Sequence, residues 1–152
     1  MSDMQEVAID SGLGFRWSAI PAQGDPVQDE LTQEKVSQLM EEWVDRLGLQ
    51  DWDIHLAWKC RPDEIPMSDS LGVSSYVESC KQACIYILDK KYYKGDPFVF
   101  DFEITLVHEL MHLKVALLSD KNENSMQYRA MHMLIDDMAK ALVRAKRSGG
   151  SK

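Results

Sequence analysis

Apolar positions recur along this chain with two different periods, and the switches between them mark out the elements. Leu31, Val36, Leu39, Met40, Trp43, Val44 and Leu47 fall three or four apart, the spacing of one helix face, and predict a helix over about 30–47. Thr32 stands where an N-cap belongs, and Gly48 where a stop signal belongs. The period then drops to two. Ile54, Leu56 and Trp58 alternate with Asp53, His55 and Ala57, which predicts a strand over 52–58 with His55 on its exposed side. Gly72–Glu78 and Gln82–Asp89 read as two more strands, the second the more apolar, with β-branched and aromatic residues. Helical spacing returns over about 98–118. There Ile104, Val107, Leu110, Met111 and Leu118 supply an apolar face without glycine or proline. It returns again over about 123–146, where Tyr128, His132, Ile135, Ala139 and Leu142 form one stripe.

The order helix, strands, helix, helix implies an α+β fold. Residues 1–30, broken by Gly12, Gly14, Pro21, Gly24 and Pro26, read as an irregular arm that Phe15, Trp17 and Ile20 can pin to the body. Residues 31–147 read as one domain, and 148–152 as a flexible tail. Loops are expected over 61–70 and 90–97.

Charge and cysteine content narrow the function. A net charge of −8 argues against a broad grip on nucleic acid or an anionic membrane. Lys140, Arg144, Lys146 and Arg147 cluster near the C-terminus and read as a charged helix end running into a solvated tail. Cys60, Cys80 and Cys84 are too few for a disulfide framework, and the spacing of the last two misses that of a zinc knuckle. All three are expected as reduced thiols, with Cys80 and Cys84 the pair able to oxidise. The acidic start lacks the apolar core of a signal peptide, and no apolar run reaches membrane length. A cytoplasmic location is the expectation. The methionines at 111, 126, 131, 133 and 138 read as adaptable core, with Met133 the exposed exception.

The chemistry sits in His108-Glu109-Leu110-Met111-His112. Residues four apart on a helix lie about 40° apart around the axis and about 6 Å along it, so two imidazoles reach one ion from the same side. Zinc takes such nitrogens and, in catalytic sites, keeps one position for water. Glu109 is then placed to act as general base on that water. A third protein ligand is needed. Glu123 and His132 compete for the role; nine residues, about 900° of rotation, put them on opposite sides of one helix. His132 projects with the buried stripe and is the preferred ligand, with Glu123 the alternative. Asp136, one turn on, suits a hydrogen-bond acceptor for an imidazole N–H better than a ligand. For a further oxyanion donor, Tyr92, Tyr93, Tyr128 and Arg129 are open candidates.

With Phe102, Ile104 and Leu106 ahead of it and Leu113 behind, this motif is similar to the active-site helix of zincin metallopeptidases. The wider frame over 31–145 resembles the short metallopeptidases of phages and prophages, distantly related to SprT-like and ImmA/IrrE-type domains. The metzincin variant is excluded, because Val115 and Leu118 occupy its glycine and third-histidine positions. Three further departures stand out. His132, ahead of Ile135 and Met138, occupies a slot that often holds glutamate in such proteins. Three cysteines cannot build the zinc ribbon frequent in SprT-like chains. Glu123-Asn124-Ser125 matches poorly the run that carries the third ligand in ImmA-like chains.

The resemblance implies a minimal zincin-like fold, with a small mainly antiparallel or mixed sheet on the active-site helix and a C-terminal helix. It implies Zn2+ as cofactor and a peptide or protein as substrate, in the cytoplasm of a cell or of a phage host. It also implies a strand that pairs with an extended peptide, and the strand around 82–88 is the expected one. The reading is a zinc metallopeptidase. A non-peptidase zinc amidase and a catalytically silent accessory protein of the same fold are the alternatives.

Overall fold

The computed structural model describes residues 6–9, 31–67, 69–94 and 100–149. Helix α1 spans Gln33–Leu47. Thr32 caps it, its Oγ1 accepting the Lys35 N–H at 3.1 Å, and Gly48 ends it at φ 67°, a conformation that costs glycine nothing. Strand β2 spans Asp53–Cys60, β3 Gly72–Val77 and β4 Gln82–Leu88, close to the alternation and apolar runs that announce them. Helix α2 spans Phe102–Lys114 and α3 spans Met126–Gly149.

A fourth strand, β1 at Glu6–Ile9, lies in the arm expected to be irregular. The sheet order is β1-β3-β4-β2, with β2 and β4 parallel and the other two pairs antiparallel. The fold is thus α+β, as the element order implied, with a mixed sheet. Phe15, Trp17 and Ile20 lie outside the described residues.

Both later helices start further along than periodicity suggests, and side-chain caps are the reason. Asp101 Oδ1 accepts the Ile104 N–H at 3.1 Å and fixes the start of α2. Ahead of α3, the side chains of Asp120 and Asn122 take the N–H groups of Asn122 and Asn124 and hold a turn. Ser125 Oγ then accepts the Tyr128 N–H at 3.0 Å. At the other end α3 continues through Ser148 and Gly149, residues expected in the tail. Leu118 leaves the face assigned to it: α2 stops at Lys114, a 3-10 turn covers Ala116–Leu118, and Leu118 is exposed. Of the four methionines read as core, Met111 is buried and Met131 half-buried, whereas Met126 and Met138 are exposed; Met133 is exposed, as expected.

Helix α2 is the centre of the molecule. It packs on β3, β4, α1 and α3, and every residue from Phe102 to Leu113 is buried. A helix covered all round must pair any polar group it carries. Glu103 does so with three elements at once. It accepts from Trp43 Nε1 of α1 at 2.8 Å and pairs with Lys146 and Arg147 of α3. Lys146 also pairs with Glu42, and Arg147 forks onto Asp101 at 2.7 and 3.0 Å. Two of the four basic residues read as a solvated helix end therefore tie α3 to α1 and to the start of α2. Among the described residues no helix is long and apolar enough to cross a membrane.

Candidate metal centre

Three buried side chains on α2 and α3 make the site. His108 and His112 come from successive turns of α2, and His132 comes from α3, seated by Ile135 and Ala139 of its buried stripe. Their rings form a near-equilateral triangle, with centroids 5.2, 5.1 and 5.3 Å apart. One nitrogen from each lies within 4.8 Å of the others. Nitrogens around a tetrahedral ion at about 2.0–2.1 Å stand roughly 3.4 Å apart, so small side-chain adjustments close the set on a cation. No other group of three or more His, Cys, Asp or Glu side chains among the described residues has such an arrangement.

The site's electrostatics fit a metal. Among the described residues His112 Nε2 is buried with no hydrogen-bond partner, a costly state that a cation relieves. Burial first, and then the neighbouring His108 and His132, hold the pKa of His112 well below the ordinary imidazole value. His112 is therefore neutral near pH 7, the form that coordinates metal. Asp136, one turn after His132, places Oδ1 3.4 Å from His108 Nδ1, while its Oδ2 meets Lys140 Nζ at 3.1 Å. A carboxylate behind a ligand imidazole orients the ring and raises its basicity, the role the sequence suggested for Asp136.

Glu123 takes no part. It is exposed in the turn before α3 and absent from the cluster, because the caps at 120–125 delay the helix and leave it at the surface. The structure brings His132, and not Glu123, beside His108 and His112. His55 is exposed on β2, as its place in the alternation implies.

Glu109 is fully buried on the turn that carries the two histidines. It faces Gly72, the first residue of β3: a β-carbon there would stand 2.9 Å from Glu109 Oε1 and 3.1 Å from its Cγ. Sequence reasoning treated Gly72 only as a strand boundary. Glycine at a strand start, where any side chain is admissible, was the signal for a close approach.

A small cavity opens beside the triad, lined by His112, Ser119, Asp120, Tyr128, Met131, His132 and Ile135. Its volume of about 10 Å³ is roughly room for one water. Of the four oxyanion-donor candidates only Tyr128 lines it, and its ring stacks on His132 at 5.8 Å. Tyr92 and Tyr93 line a separate cleft with Ile65, Met67 and Leu71, and Arg129 is exposed. The strand expected to receive a peptide is also corrected. β4 is central, paired with β3 on one side and β2 on the other, and has no edge to offer.

All three cysteines are free. Cys60 and Cys84 are buried and Cys80 is exposed, which seats the pair suggested as able to oxidise in different environments. Burial pushes the Cys60 thiol up to about 11.

Comparison with protein-family models, curated proteins and solved structures gives no match.

Proposed function

We propose that the chain is a zinc-dependent peptidase. The observation that carries the reading is the buried triad His108, His112 and His132 with a buried carboxylate, Glu109, next to His108 on α2. A site that only braces a fold has no need of a base beside its ligands. Three imidazoles suit zinc, and three protein ligands leave a coordination position open, as catalytic zinc requires.

When bound, zinc supplies Lewis acidity toward a carbonyl and brings the pKa of a water toward neutrality. The chain's own groups do the rest. His108, oriented by Asp136, and His112 and His132 hold the ion. Glu109 takes the proton of the attacking water and delivers it to the departing amine. Gly72 leaves Glu109 the room to hold its carboxylate against β3. Tyr128, at the cavity wall, is the side chain we assign as donor to a developing oxyanion.

The test is metal content with hydrolysis of a peptide mixture, for the wild type and Glu109→Gln. We expect about one zinc per chain in both. The wild type cleaves peptides, and Glu109→Gln loses activity by roughly a thousand-fold or more. A Glu109→Gln variant as active as the wild type refutes the mechanism. A zinc-loaded wild type that cleaves amides but no peptide establishes the amidase alternative, and one that cleaves neither establishes the silent accessory protein.

A further inference from the structure

We infer that β1 is an internal occupant of the peptide-receiving edge: the chain's own N-terminal strand lies where an extended substrate would pair, and it must leave before a substrate can bind. The inference rests on the peptidase reading for its consequence, although not for its geometry.

Three observations lead to it. First, β3 is the strand at the site. Its first residue, Gly72, abuts Glu109, and α2 packs along it. Second, β3 has one side committed to β4, from Gly72 opposite Ile87 to Val77 opposite Gln82. Its other side is filled by β1, antiparallel, with Ile9 opposite Val73 and Glu6 opposite Ser75. Neighbouring strands lie about 4.8 Å apart, so a backbone at Ile9 runs one strand spacing from the wall that Gly72 forms beside Glu109. Among the described strands, no other sheet edge lies so close to that carboxylate: the far edge belongs to β2, beyond β4.

Third, β1 is built to be displaceable. It has four residues, and its pairing is irregular between Glu6 and Ala8. A bulged pairing of this length carries few ladder hydrogen bonds, and short edge elements open at low free-energy cost. β1 shields the backbone groups of β3 from unwanted pairing without holding the edge permanently. A peptide that replaces it gains the same main-chain bonds, with side-chain selection added by whatever lies beneath. Occupation in cis also gives the internal strand an effective concentration far above that of any free peptide. The intact chain should therefore bind substrate more weakly than one without β1.

The experiment uses three measurements. A chain lacking residues 1–9, carrying Glu109→Gln to prevent cleavage and loaded with zinc, is titrated with a labelled synthetic peptide of residues 3–12 and followed by fluorescence anisotropy. Binding to the shortened chain should be at least about ten-fold tighter than to the intact Glu109→Gln chain. The same peptide with Ala8→Pro and Ile9→Pro, which lacks two backbone donors, should not bind. In active protein, removal of residues 1–9 should lower KM by roughly ten-fold with kcat changed by less than about three-fold.

Should the shortened chain fail to fold, hydrogen exchange on the intact protein decides. Amides of β3 directed at β1 should exchange at least about ten-fold faster than those directed at β4. Equal protection of the two sets overturns the inference, as does a folded, zinc-loaded shortened chain that ignores the peptide. Peptide binding without hydrolysis by any form supports the strand exchange and refutes the peptidase reading, so the two failures are distinguishable.

Discussion

Gly72 and Glu109 meet where sheet and motif helix touch, with a hypothetical β-carbon at 72 only 2.9 Å from Glu109 Oε1 and 3.1 Å from Thr105 Cγ2. The single missing methyl group gives the buried carboxylate its place. Thr105 is held by its own bond to Asp101 O at 2.9 Å, so an added carbon must push Glu109 aside. Gly72→Ala should retain about one zinc per chain, because no ligand is touched. It should lower kcat by roughly ten- to a hundred-fold, the effect of a base misplaced by a fraction of an ångström to an ångström. Metal analysis beside single-turnover hydrolysis checks it, and unchanged kcat would show that the close approach is without consequence.

Identity of the third ligand is a second point of decision. His132 is buried within the triad and Glu123 is exposed outside it. His132→Ala should weaken zinc binding by at least about a hundred-fold, beyond the range seen when only a supporting partner is lost. Glu123→Ala should leave affinity and Tm unchanged. Competition against a chromophoric chelator measures both, and an equal loss in the two variants would contradict the assignment.

Much of this was legible in advance, and the reasons are local. The motif helix and its two facing histidines follow from spacing alone, since residues four apart share a helix face. His132 was readable because it falls in an apolar stripe with Ile135 and Ala139. The two helix starts were missed by a few residues because Asp101 and Ser125 end the preceding loops by capping, a stronger determinant than periodicity. The cross-links of Glu103 to Trp43, Lys146 and Arg147 join residues 43 to 60 positions apart. No local pattern encodes such pairs. The pairing of β1 with β3 was hidden for the same reason, and because four residues between turn signals are too short to display a period.

Asp136 offers a test of support rather than ligation. Its carboxylate stands between His108 Nδ1 and Lys140 Nζ, so Asp136→Asn keeps the shape but removes the charge behind the imidazole. Zinc affinity should fall by about ten- to a hundred-fold, with the stoxichiometry at saturation still near one. Isothermal titration with zinc buffers reads both quantities. A complete loss of binding would make Asp136 a ligand itself, and no change would reduce it to a helix-surface partner of Lys140.

The acid side of the stability curve should report on the ties that hold α2 between α1 and α3. The bond from Lys146, foremost, and that from Arg46 hold the Glu42 carboxyl below the ordinary value of 4.5. A carboxylate with a lowered folded-state pKa adds stability in full above its unfolded value and loses it as pH falls through the folded one. Stability in urea should therefore be level above about pH 5.5 and decline below about pH 4.5, less steeply in Glu42→Gln. Glu103 is the costlier residue to lose. It is buried and serves Trp43, Lys146 and Arg147 together, so Glu103→Ala leaves an indole N–H and two cations short of a partner. We expect a loss of about 3 kcal/mol at pH 7, with zinc stoichiometry intact in the folded fraction. A loss under about 1 kcal/mol would mean that Glu42 and Asp101 alone suffice to hold Lys146 and Arg147, and that α2 is kept in place by its apolar neighbours.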